Sequence, residues 1–308
     1  MPLDALRDRH AALERRCNEA LPSSLKLGAG VLYVHTSRGG QQLDAMAAPD
    51  WWDRWHDAAI VAILALQFAG LALVVVGAGL ALGQERATAL NDPVNVVANP
   101  GLNEFMPLVA APFVVAALLL STVVHEAGHA IATRRAGVEV REYGVALLLG
   151  VVPLAAYVLP AYELDEASRR ARLRVFAAGA TNNLVLAVVA LFVLALPWTA
   201  SAAEAYLVYF GWALTGGEAP ATAQILELGV VSNLAFWTAL LSANFGILNA
   251  LPVAVLDGGR VFVCSLEAAS ERTGIALSER TQRATLHVLG SVAVLAVVVA
   301  VIGPHLPV

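Results

Sequence analysis

The run Phe105–Thr133, FMPLVAAPFVVAALLLSTVVHEAGHAIAT, carries both the fold and the functional question. Its first twenty residues, 105–124, hold no charge and at 1.5 Å per residue span the roughly 30 Å hydrocarbon core of a bilayer. Then three ionisable residues, His125, Glu126 and His129, fall within five positions. An ionisable group in a spanning helix costs about 2.5 to 3.5 kcal/mol on insertion scales, so these three need partners, water or a metal.

Working outward, four further apolar runs are long enough to cross: Ala58–Gly83, Val175–Trp198, Gly229 to about Leu256, and Ala284–Ile302. Composition agrees, with 58% of the 308 residues hydrophobic and 14% charged and a mean hydropathy of +0.69. That balance excludes an ordinary soluble domain, disorder and collagen-like repeats. The expected fold class is an all-α polytopic membrane protein with about five transmembrane helices and a small membrane-associated β element. The run Gly144–Pro160 is apolar but interrupted by Gly150 and Pro153, and so reads as re-entrant, lining a wet cavity. Alternation of Val138 and Val140 with Glu139 and Arg141 predicts a strand just before it. The segment 206–214 is too short to cross and reads as re-entrant or interfacial.

Five spans divide the basic residues very unevenly. Arg86 stands alone on one side, leaving eighteen of the 19 Lys and Arg on the other. The positive-inside rule then puts the amino terminus in the cytoplasm and the carboxyl terminus outside. Trp51, Trp52, Trp55 and Trp198 suit an interfacial belt or packing on protein. A single Lys beside 18 Arg suggests a prokaryotic cell membrane. Residues 1–57 contain no apolar stretch fit for a cleaved signal peptide, so the first span is expected to do the targeting. They read as a cytoplasmic amino-terminal segment with a helix near Leu3–Leu21 and a strand in Gly28–Thr36. The expected division continues with 58–104 as first span and outer loop, 105–262 as core, and 263–308 as cytoplasmic linker and last span. With a net charge of −5 and no basic run interleaved with aromatics, nucleic acid is not an expected partner.

Residues four apart share a helix face, so His125 and His129 can reach one metal while Glu126 sits beside them to hold a water proton. This is the HExxH pattern of zinc hydrolases. A catalytic zinc needs a third protein ligand and an open fourth position. Cys17 and Cys264 lie outside any metal-ligand spacing, and Asp257 is the best candidate. From His125 or His129 to Arg134 is about 7 to 13 Å of helix, and Asp257 lies about 10 Å of extended chain before Arg260. The ligands therefore fall at matching depth from the basic face. Asp257 before two glycines otherwise reads as a turn residue.

HEAGH in one span, followed by Asn249, Pro252 and Asp257-Gly258-Gly259, resembles the site-2 protease family of intramembrane zinc metalloproteases, and Gly179-Ala180-Thr181-Asn182-Asn183 is similar to that family's Gly-x-x-x-Asn segment. The resemblance covers roughly Phe105–Phe262. Two positions at which the family often has proline hold Ala180 and Val255, and the Trp198–Leu228 loop is too short for the PDZ domain of many relatives. The resemblance implies one Zn²⁺ per chain held by His125, His129 and Asp257, and Glu126 as general base. It implies Asn249 and Asn183 as oxyanion donors or clamps on the substrate backbone, and as partners the lipid bilayer and a membrane-anchored protein with a transmembrane helix, cut in regulated intramembrane proteolysis. The edge offered by Val138–Tyr143 and Gly144–Pro160 is expected to pair with an unwound substrate. Three alternatives remain at this point: an inactive scaffold of the same fold, a transporter or ion pathway that uses buried His, Glu and Asp, and a prenyl-protein endopeptidase type in which Glu163, Glu166, Glu267 or Glu271 replaces Asp257 as ligand.

Overall fold

The computed structural model describes residues 12, 14–28, 30–84, 87–88, 91–96, 99–102, 106–150, 152–161, 163–199, 204, 208, 211 and 228–305. Residues 14–20 are helical, and the rest of the expected Leu3–Leu21 helix lies outside the described residues, as does nearly all of the expected 206–214 element. The single strand expected over Gly28–Thr36 is a hairpin of β1 (Leu25–Gly28) and β2 (Val31–Thr36), because the chain reverses at Gly30 with φ 77°. A short helix α1 (Gly40–Ala47) leads into α2 (Trp51–Leu82).

Five helices are long and apolar enough to cross a membrane: α2, α3 (Ala111–Arg135), α4 (Arg169–Leu194), α5 (Gly229–Ala250) and, after the intervening helix α6 (Asp257–Thr273), α7 (Glu279–Ile302). The chain is an integral membrane protein. The helices extend beyond the apolar runs toward the arginines, since the backbone stays hydrogen-bonded while the side chains turn out of the hydrocarbon. The fourth run ends at Ala250 instead of Leu256, because Pro252 forces Leu251 into extended backbone, φ −63° and ψ 145°. The expected linker after residue 263 is instead the helix α6.

Helices α4 and α5 are the centre of the bundle, α2 and α3 pack against them, and α7 packs on α2. Lipid is as apolar as leucine, so helices in a membrane associate through close packing of small residues. The buried face of α4 is accordingly Ala177-Ala178-Gly179-Ala180-Thr181, while Phe68, Leu73, Leu119, Phe192 and Leu295 point outward. Ser121 and Ser242 share a hydrogen bond of 2.5 Å between α3 and α5. At the basic end the helices are tied by charge: Asp53 and Asp57, one turn apart on α2, both bind Arg174 of α4 at 2.8 Å, and Asp53 also binds Arg135 of α3 at 2.5 Å. Such pairs contribute about 0 to 1 kcal/mol each where exposed, so they fix register more than they add stability.

Between α3 and α4 the re-entrant run is a hairpin of β3 (Val140–Leu148) and β4 (Val152–Pro160), turning at Leu149 and Gly150 with φ 51° and 74°. The hairpin joins the amino-terminal one in an antiparallel sheet of order β1-β2-β3-β4. Val31–Thr36 pairs with Leu148–Tyr143, so residues of the amino-terminal segment cover the outer edge of β3. Of the expected edge, Tyr143–Leu148 is therefore interior to the sheet, Val140–Glu142 extends past β2, and β4 has a free edge.

Candidate metal centre

His125 and His129 stack one turn apart on α3, edge to face, with ring centroids 4.8 Å apart. Their Nε2 atoms are 3.1 Å from each other, and each is 3.1 Å from Asp257 Oδ2. His129 Nδ1 lies 2.8 Å from the Val175 carbonyl. A carbonyl only accepts, so Nδ1 carries the proton and Nε2 presents a lone pair. His125 Nδ1 lies 3.1 Å from the side-chain amide of Asn183, whose Oδ1 has no other partner. With the amide turned, that oxygen accepts from His125 Nδ1–H, and His125 Nε2 becomes a lone pair as well. Three acceptors then converge at 3.1 Å, an arrangement that repels itself unless a cation sits among them. Ligands about 2.05 Å from a tetrahedral zinc would be about 3.3 Å apart, so the spacing fits that ion. Among the described residues this is the group able to hold a metal.

The two outer partners and the space between them lie on one stripe of α4. Val175, Gly179 and Asn183 are successive i, i+4 positions, and α4 runs antiparallel to α3, so Val175 meets His129 and Asn183 meets His125. Gly179 faces the gap: a Cβ there would stand 2.8 Å from His125 Nε2 and closer still to His129 Nε2. Asp257 comes from the other side. It opens α6, where the helix N-terminus favours a carboxylate. Gly258 permits this start, since a Cβ would collide with the carbonyls of Ala250 and Leu251 at the end of α5. The buried Gln67 side chain of α2 donates to the Gly258 carbonyl.

The group opens into a cavity of about 470 Å³ lined also by Glu126, Asn249, Ala155–Val158 and Arg260. Glu126 and Val158 of β4 face the same cavity. Asn249 lines the cavity with its amide bonded to the Phe245 carbonyl at 3.0 Å. Asn183, by contrast, is fully buried behind His125. The alternative glutamates Glu267 and Glu271 are bound by Arg172 and Arg169 outside the site. Tyr157, also on the wall, donates to Glu142 at 3.1 Å, and burial together with that carboxylate pushes its hydroxyl up to about 12. Neither Tyr157, Gln67 nor Arg260 stands out in the sequence; a glutamine inside an apolar run was the available signal for Gln67.

The fold and this group define a class: a polytopic membrane protein with an HExxH helix and a distant aspartate gathered at one metal-binding cavity. The profile of peptidase family M50 matches residues 113–298, more than half of the chain, and the protein belongs to that family. Residues of the chain are 46% identical over 61 positions to zinc metalloprotease RasP of Oceanobacillus iheyensis, covering 18% of this chain and 14% of RasP. A second relative, provisionally named zinc metalloprotease Rip3, of Mycobacterium tuberculosis, is 29% identical over 144 positions, covering 47% of this chain and 28% of Rip3. The chain thus aligns with less than a third of either relative. No solved structure matches it.

Proposed function

We propose that the protein is a zinc-dependent intramembrane endopeptidase, hydrolysing a peptide bond within or near the transmembrane helix of a membrane-anchored protein, in regulated intramembrane proteolysis. The observation that carries this reading is the convergence of His125, His129 and Asp257 in one cavity with Glu126. Zinc bound there supplies a Lewis acid that brings the pKa of a water down to about 7. Glu126 takes the proton from the attacking water and passes it to the leaving amine. Asn249 faces the reacting carbonyl and donates to its developing negative charge once released from Phe245. Asn183 and the Val175 carbonyl hold the two imidazoles with Nε2 forward.

A substrate helix conceals its peptide bonds in its own hydrogen bonds and must unwind locally. The free edge of β4 offers a ladder to the unwound strand along the cavity wall, so the backbone donors and acceptors released by unwinding are satisfied without water. Residues 105–262 form the catalytic core. By the distribution of basic residues, the amino terminus is cytoplasmic, the carboxyl terminus outside, and the cut falls toward the cytoplasmic end of the substrate span.

The test is cleavage of a single-span substrate by purified zinc-loaded protein beside Glu126→Gln in the same detergent, with zinc content measured in wild type and Asp257→Ala. Cleavage by wild type alone and loss of zinc from Asp257→Ala are expected. Equal behaviour of wild type and Glu126→Gln, with zinc retained in both, refutes the reading and leaves an inactive scaffold.

A further inference from the structure

We propose that Arg260 selects substrates carrying an acidic side chain two or three residues from the scissile bond. The inference rests on the proteolytic reading above and adds a specificity determinant to it.

Arg260 lies one turn after Asp257 on α6, so the two side chains are neighbours on one helix face. Its guanidinium carbon stands 5.3 Å from the centroid of the Phe176 ring. The arginines around it are engaged: Arg172 binds Glu267 at 2.7 Å, and Arg174 binds Asp53 and Asp57 at 2.8 Å. Arg260, which is exposed, makes no ion pair with any described residue, and its contact with the Phe176 ring leaves its donors open. An arginine placed against an aromatic ring, yet lacking a carboxylate, is arranged for one that arrives with a ligand.

Its position along the substrate path follows from β4. A second cavity of about 530 Å³ adjoins the metal cavity, and the two share Pro160, Phe176 and Arg260. Successive residues of β4 line them in turn: Ala155–Val158 face the first, Leu159–Ala161 the second. A strand paired with β4 therefore runs from one cavity into the other and passes Arg260 at the junction. Val158, which lines the metal cavity together with Glu126, marks the point of cleavage along this edge. Pro160 lies two residues on, about 6 to 7 Å at the rise of a strand. A substrate side chain two or three residues from the cut thus meets the guanidinium.

The experiment compares wild type, Arg260→Gln and Arg260→Glu, all full-length and zinc-loaded, on one single-span substrate with Glu, Gln or Lys placed in turn at the first four positions on either side of the cut. Wild type is expected to prefer Glu over Lys by about 10- to 100-fold in kcat/KM at one position two or three residues away, the effect of a hydrogen bond to a charged group. Arg260→Gln removes the preference and Arg260→Glu inverts it. A merely structural Arg260 would lower all three substrates in proportion; that result, or the absence of a preference at every position, overturns the inference. Binding of the same peptides to Glu126→Gln protein, with Arg260 or with Arg260→Glu, reads the contact without turnover. Failure of wild type to cleave any substrate would overturn the proteolytic reading, while the order of binding, Glu over Lys and its reversal, would still decide the role of Arg260.

Discussion

Replacing Gly179 by alanine adds one methyl group in the space between the two imidazoles. The new carbon would stand 2.8 Å from His125 Nε2 and from His129 Cε1, and closer to His129 Nε2. Ordinary contact is about 3.5 Å, so each ring must retreat by about 0.7 Å or more. The rings cannot simply swing aside, because His129 Nδ1 is bound to Val175 at 2.8 Å and His125 Nδ1 to Asn183 at 3.1 Å. Metal–ligand distances tolerate only about 0.2 Å of error. Forcing a methyl group into a packed site costs about 1 to 3 kcal/mol, and here the cost falls mainly on the metal-competent arrangement, since without an ion only the hydrogen bonds at Nδ1, and no metal bond, oppose a retreat of the rings. Zinc affinity should therefore fall about 5- to 150-fold. The assay is zinc retention of wild type and Gly179→Ala against chelators of graded strength, with thermal unfolding of the two metal-free proteins as control. Equal zinc affinity, within twofold, would show that the imidazoles are not confined by α4 as argued.

The other predictions use the same structure. Asn183→Ala removes the partner of His125 Nδ1 and should weaken zinc binding about 10- to 100-fold, measured by the same chelator competition, while leaving the His129 anchor intact. Gln67→Leu removes the second donor of the Gly258 carbonyl, which also takes part in the first turn of α6, and should lower stability by about 0.5 to 1.5 kcal/mol, read as a drop in melting temperature in detergent. His56 is fully buried, stacked on Trp52 at 5.4 Å, and neither ring nitrogen has a hydrogen-bond partner. His56→Phe keeps the stacking and removes the unsatisfied groups, so its melting temperature should equal or exceed that of wild type. Stripping zinc should lower the melting temperature of wild type and leave that of a His125→Ala, His129→Ala double variant unmoved.

The five spans were legible because each is a long apolar run and nothing else in a chain of this composition competes with that signal. The convergence of His125, His129 and Asp257 was legible for a different reason: HExxH fixes its own geometry through helical spacing, and matching depth from the basic face singled out Asp257. Strand pairing was not legible, because it depends on contacts between residues over a hundred positions apart. The hairpin of Leu25–Thr36 covers Tyr143–Leu148 of β3, which leaves β4 as the edge along the cavity. Side-chain partnership was legible only in part. Asn183 was visible as a polar residue in a span, but its bond to the far nitrogen of His125 is a matter of helix register, which a single sequence does not reveal. Arg260 was counted for orientation among eighteen basic residues, and only the two adjoining cavities set it apart.

Register between α3 and α4 is what turns a common motif into a metal centre. His125 and His129 repeat every four residues on one helix; Asn183, Gly179 and Val175 repeat every four residues on its antiparallel neighbour. The pairing matches an acceptor to each Nδ1 and a glycine to the space between the rings, so one packing interface fixes both tautomers and both ring positions. A slip of one residue along α4 would rotate that stripe by about 100° and leave a buried His125 without its partner and a methyl carbon, Ala178 or Ala180, against the imidazoles. The ion pairs of Arg174 with Asp53 and Asp57, and of Arg135 with Asp53, oppose such a slip from the membrane surface, because they tie α4 and α3 to the same residue of α2, Asp53. Pairs that add little stability one by one thus acquire a role at the active-site level: they hold the register on which metal binding depends.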